Sequence, residues 1–232
     1  MDSTALPSPG AIHSLRRTAR LTGLFYLGLA VTGMLGFLLV RAQLYVAVDP
    51  AATLANLTSK ATLARVGVGL EMGIVLTQSL AAVWFFKLFR SVDSFEAGAI
   101  AAFGLINAIA ILVSAALIAG ALKIAGDVSL IAGGDAAGTV QLLYVLSGKL
   151  WGVGAIFFGL WLIPMGTLVL RSGWMPRALG YVLVVGGVGY VLSAFLGQVI
   201  PNIGMWADLL TIPASVGEFW MIGYLLWFGV RE

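Results

Sequence analysis

Apolar residues in this chain do not alternate with polar ones; they run on in stretches of roughly 20 residues, long enough to cross about 30 Å of hydrocarbon. Six such stretches fall near residues 21–40, 61–86, 100–122, 150–170, 178–200 and 209–230. Each is predicted to be a transmembrane helix. Between them stand pairs that turn or cap a chain: Asp49-Pro50, Gly126-Asp127, Gly133-Gly134-Asp135, Ser172-Gly173 and Pro201-Asn202. Residues 51–59 are expected to add one or two helical turns in the first loop, since aspartate caps a helix and proline suits its first position. The apolar segment 139–148 is too short to cross alone, and either extends the fourth span or lies along the surface.

Composition agrees with this pattern. Of 232 residues 60% are hydrophobic and only 10% charged, against about 25% charged in a soluble domain. Residues 1–15, with Pro7, Pro9 and Gly10, read as a flexible N-terminus, and 16–232 as a single six-helix domain. Arg16, Arg17 and Arg20 precede a first run too long for a signal-peptide core, so that run is expected to be retained. With a cytoplasmic N-terminus, the cytoplasmic ends collect Arg16, Arg17, Arg20, Lys87, Arg90, Arg171, Arg177 and Arg231, and the outer ends only Arg41, Lys60 and Lys123. That asymmetry predicts both termini in the cytoplasm. The fold expected is therefore an all-α, polytopic bundle of six transmembrane helices. The net charge of +3 is spread over helix ends rather than gathered in a solvated patch, which leaves nucleic acid out.

The block Gly159-Leu-Trp-Leu-Ile-Pro-Met-Gly166, followed by Arg171-Ser-Gly-Trp-Met-Pro176, Arg177-Ala-Leu-Gly180 and Gly189-Tyr190, resembles the bacterial family catalogued as domain of unknown function 4386. The opening Ala19 to Gly23, the pair Arg65 and Glu71, and Gly217-Glu218 belong to the same resemblance. It implies a six-helix protein of the bacterial inner membrane and brings no activity, substrate or catalytic residue with it.

A charge placed mid-span costs about 2.5–3.5 kcal/mol on insertion scales and needs a partner, a wet cavity or a changed protonation state. Glu71 and Glu218 lie near mid-membrane, with Arg65 toward the outer side of Glu71 and Lys149 and Asp208 at the outer border. On the last span Asp208, Thr211, Ser215 and Glu218 share one face, around Pro213. On the second, Glu71 and Gln78 share a face, while Arg65 is turned away from Glu71 and suits an acid on another helix; on the third, Asn107 and Ser114 share one. These groups suggest an outward-opening cavity floored by Glu71 and Glu218, with Arg65 and Lys149 supplying positive charge. Ligand-binding or proton-coupling candidates are thus Glu71, Glu218, Arg65, Asn107, Thr211, Ser215, Gln78 and Lys149.

The absences are as informative. There is no cysteine and one histidine, His13, outside the spans. A histidine-clustered metal site, bis-histidine haem and a histidine-activated serine all lack their residues. No metal or other cofactor is expected, and no catalytic residue is assigned. Three functions fit: a pocket binding or transporting a small or lipid-like ligand, proton-coupled through the glutamates; a structural or regulatory subunit with internally paired charges; and a carboxylate-dependent intramembrane enzyme on a lipid or isoprenoid. Expected partners are membrane lipids, such a ligand, and a second copy through small-residue faces such as Gly69-x-x-x-Gly73 and Gly148-x-x-x-Gly152.

Overall fold

The computed structural model describes residues 9–131, 134–200 and 203–231, with side chains from His13 onward. Gly133, Pro201, Asn202 and the first eight residues of the expected flexible N-terminus lie outside them. Helix α1 (Pro9–Gly33) continues through a π-helical stretch, Met34–Arg41, into the short α2 (Ala42–Leu44). Then follow α3 (Pro50–Ser59), α4 (Ala61–Phe89), α5 (Ser94–Gly126), a 3-10 turn at Val128–Leu130, α6 (Ala136–Ser172), α7 (Arg177–Val199) and α8 (Gly204–Trp227). Six of these segments are long and apolar enough to span a membrane. In hydrocarbon only a helix or closed barrel satisfies every backbone N–H and C=O internally, so an uninterrupted apolar run leaves the chain no other local choice.

Polar residues set the helix ends. Asp49 Oδ1 accepts the N–H of Ala52 at 2.9 Å, Asp93 Oδ1 those of Phe95 and Glu96 at 3.0 Å, and Asp135 Oδ1 that of Gly138 at 2.8 Å. Each supplies an acceptor to a helix start that has unpaired donors. Gly173, at φ 66°, ends α6 in the left-handed conformation that suits glycine. Residues 9–15, expected to precede the first span as flexible chain, are already helical. Residues 139–148 are part of α6, and the expected turns after Asp49-Pro50 are the ten residues of α3.

The six long helices run antiparallel in chain order and form a ring, each packed on its sequence neighbours, with α8 closing on α1. Gly229 lies against Arg16, so the start of α1 and the end of α8 share one end of the molecule, called here the terminal end. Trp161 of α6 fills the centre, edge-on to Tyr26 of α1 and Phe85 of α4, and lies 2.9 Å from where a Cβ on Gly104 of α5 would stand. A second cluster, including Leu44, Leu57, Ile118, Val140 and Tyr144, holds α3 against the α5 and α6 extensions at the opposite, distal end.

Glycine sets how closely α6 and α7 approach. A Cβ on Gly159 would stand 2.5 Å from the Gly187 carbonyl oxygen, and one on Gly166 2.6 Å from that of Gly180. The two positions on each helix are seven apart, hence on one face, and pair in antiparallel register. The block of residues 159–180 that carries the family resemblance is largely this crossing. Gly186 and Gly189 continue the packing onto Ala214 and Leu210 of α8.

Candidate functional site

Both Glu71 oxygens are held by protein. Ser114 of α5 donates to Oε2 at 2.9 Å and the Trp151 indole of α6 to Oε1 at 3.4 Å. Ser114 also shares a 2.8 Å hydrogen bond with Ser147, whose oxygen accepts from Arg41 at 2.8 Å. A second Arg41 nitrogen donates to the Tyr144 carbonyl at 2.7 Å. The guanidinium also lies 5.4–5.8 Å from the ring centres of Phe37, Tyr45 and Tyr144, within cation–π range. Acid and base are thus joined through two hydroxyls across the π-helical stretch, α4, α5 and α6. Tyr144, Ser147 and Trp151, at spacings of three and four, form the α6 side of this network. A void of about 20 Å³ lies between Arg41, Glu71 and Tyr144, room for about one water.

Two turns along α4, Gln78 accepts from the Asn107 amide of α5 at 3.0 Å. Glu71 with Ser114 and Gln78 with Asn107 are therefore two rungs of one polar ladder between α4 and α5, all four side chains buried.

Glu218 belongs to a different site. Its Oε1 accepts the Tyr26 hydroxyl at 2.6 Å, while Oε2 has no donor among the described residues. The carboxylate lines a cavity of about 180 Å³ with Leu29, Ala30, Ile74, Trp151, Phe158 and Phe219 as apolar walls. Met34, Ser215 and Phe219, also on its wall, are exposed at the α1–α8 seam. Nearer the terminal end the two helices pack closely, a Cβ on Gly23 standing 2.9 Å from Leu225.

The single cavity expected to be floored by both glutamates is therefore two separate places, with Trp151 touching both. Of the sequence candidates, Glu71, Gln78 and Asn107 are brought together, and Ser215 joins Glu218. Thr211 and Ser215 hydroxyls bond back to the Asp208 and Thr211 carbonyls of their own helix. Arg65 is exposed and has no acid in ion-pair reach among the described residues; the arginine facing Glu71 is Arg41. Lys149 is exposed and reaches Gln198 at 3.4 Å.

Sequence reading missed Arg41, Ser147, Trp151 and Tyr26. The spacing of Tyr144, Ser147 and Trp151 was a usable signal, as was Tyr26 deep inside a span. Arg41 at a span end looks like any flanking arginine.

Of the small-residue pairs, Gly73 faces Thr32, Gly148 leaves the space that Arg41 enters and Gly152 faces Gln198, whereas Gly69 is exposed with nothing within 4 Å of a built Cβ. At the terminal end Arg171 pairs with Asp93 at 3.0 Å and Glu96 at 3.1 Å, and Thr167 donates to Glu96 at 2.6 Å. The Asp93 carboxyl is held below its usual pKa, chiefly by the Glu96 backbone N–H, with Phe95 N–H and Arg171 adding to it. Among the described residues no three carboxylate or histidine side chains converge as a metal ion would require.

A family model described as "Domain of unknown function (DUF4386)" matches residues 21–229. An uncharacterized protein of Archaeoglobus fulgidus is 41% identical over 44 residues, 19% of this chain and 27% of that protein. The chain thus spans about a quarter of that relative's length. No solved structure matches.

Proposed function

Because the chain belongs to the family described as a domain of unknown function (DUF4386), whose membership assigns no activity, we propose that this multi-pass membrane protein takes part of a lipid-like ligand into the α1–α8 cavity. The observation that carries this reading is an apolar chamber of about 180 Å³ containing one carboxylate. An engineered cavity of about 150 Å³ in another protein holds benzene. This one suits a ring, an isoprene unit or a short stretch of acyl chain, not a whole lipid. Its exposed rim lies along helix surfaces that face hydrocarbon, which favours a ligand arriving from the bilayer. Glu218 Oε2 would accept a hydrogen bond from a ligand hydroxyl or amine, with Tyr26 holding the carboxylate in place.

Ala30→Phe puts a ring into the chamber and tests the reading. Native mass spectrometry of the gently solubilised protein, supplied with a lipid extract of the expression host freed of anionic phospholipids, should show a retained mass in wild type. Ala30→Phe should lose it and Glu218→Gln should weaken its retention, both with near-wild-type melting. Equal retention in a folded Ala30→Phe variant would overturn the proposal.

A second reading concerns Glu71 alone. Both its oxygens are already occupied by protein donors, which favours an internal fastening over a ligand or proton-coupling site.

A further inference from the structure

His13, Arg16, Arg17, Arg20, Leu21 and Leu24 follow one another at the spacing of a single helical face, and with Leu226 of α8 they line a groove of about 600 Å³ at the terminal end. Three of these seven residues are arginines and none is acidic. The order along α1 runs from charge to leucine, toward the membrane-spanning part of the helix.

Three other basic side chains near this end are engaged. Lys87 lies 5.8 Å from the Trp84 ring centre, Arg171 pairs with Asp93 and Glu96, and Arg231 lies 4.8 Å from the centre of the Phe228 ring. Arg17 and Arg20 are exposed and hold no carboxylate among the described residues. Arg16 has contacts of its own.

Arg20 and Leu24 are four residues apart, about 6 Å along a helix. That matches the roughly 5–8 Å over which one leaflet passes from headgroups to hydrocarbon. We propose that the groove holds one anionic glycerophospholipid. Its phosphate sits between Arg17 and Arg20, and its acyl chain lies along Leu21, Leu24 and Leu226. A free anion would use the arginines and leave the leucines without a role; a neutral lipid would do the reverse.

The test is a native mass-spectrometric titration of the full chain with phosphatidylglycerol and with phosphatidylcholine of the same chains, the former repeated with inorganic phosphate in large excess. Wild type is expected to hold one phosphatidylglycerol more tightly than phosphatidylcholine, and phosphate should not displace it. Arg17→Gln with Arg20→Gln should weaken phosphatidylglycerol roughly 30-fold, at about a kcal/mol per basic residue near an anionic surface, and leave phosphatidylcholine unchanged. Arg90→Gln with Arg177→Gln removes the same charge from exposed sites outside the groove and should change neither.

Unaltered phosphatidylglycerol binding in the first pair, equal loss in the second, or full displacement by phosphate would each overturn the proposal. Ala30→Phe should keep this lipid, so the groove and the α1–α8 cavity stand or fall separately.

Discussion

Arg41 ends the first apolar run, where a long basic side chain would ordinarily reach out to water. Here it turns inward beneath three aromatic rings and reaches Glu71 through Ser147 and Ser114. A hydrogen bond involving a charged group contributes about 1.5–3 kcal/mol, and removing one partner leaves the other desolvated and unmatched. Arg41→Gln is expected to cost that much, measured by unfolding in a fixed detergent. With Glu71→Gln added, the double variant should cost less than the sum of the singles by more than about 0.5 kcal/mol, the usual limit for independent sites. Additive losses would mean that the relay carries no coupling. Asp93 allows a pH test of its own. A carboxyl whose folded pKa is depressed stabilises the fold above its unfolded pKa and loses that contribution as pH falls through the folded value. Melting of wild type and Asp93→Asn should therefore differ most near neutrality and converge as pH drops below the ordinary aspartate value of 3.8. A difference that stays constant with pH would mean the cap and the Arg171 pair do not depend on the charge.

At the scale of elements, glycine content by itself says little: 30 glycines produce many spacings. The structure separates those that let helices touch from those that meet nothing. Gly159→Ala or Gly187→Ala would drive a methyl into the facing backbone, at 2.5 Å and 2.8 Å from carbonyl oxygen. Each should lower stability by about 1–3 kcal/mol, the range for overpacking. Gly197, on the same helix as Gly187, has nothing within 4 Å of a built Cβ. Gly197→Ala should be neutral or stabilising by up to about 1 kcal/mol, because alanine is the better helix former. Equal melting of all three variants would contradict the tight α6–α7 crossing. The π-helical stretch Met34–Arg41 is another element-level finding. Met34 at its start lines the α1–α8 cavity, and Arg41 at its end serves the Glu71 network. Nothing in the residue pattern of an apolar run distinguishes this winding from an ordinary α-helix, since both bury the same chemistry.

For the whole molecule, ring closure by α8 on α1 brings the start of α1 and the end of α8 together, as six antiparallel crossings require. Arg16, Arg17, Arg20, Lys87, Arg90, Arg171, Arg177 and Arg231 cluster near that end by sequence position, and with Arg41 turned inward the exposed basic residues toward the other are Lys60, Arg65, Lys123 and Lys149. We propose on that asymmetry that the terminal end faces the cytoplasm. The cysteine-free chain allows a direct check. Ser91→Cys and Ser129→Cys both sit at exposed positions, and an impermeant thiol reagent should label the first only from the cytoplasmic side and the second only from outside. The reverse pattern would invert the orientation.

The number of spanning helices and their approximate positions were legible along the chain, as were the aspartate caps at Asp49 and Asp135 and the α4 and α5 faces carrying Glu71, Gln78, Asn107 and Ser114. These follow from local rules: hydrocarbon forces apolar runs into helices, and helical periodicity assigns each residue to a face. Which face meets which was decided only by the tertiary structure. Arg41 rather than Arg65 lies near Glu71, and Glu218 pairs with Tyr26, 192 positions away in sequence. In an all-apolar helix the residue pattern has no strong polar side to orient it. Rotation and neighbours are then set by where glycines let backbones approach and where the few polar groups find partners, and both depend on every helix at once.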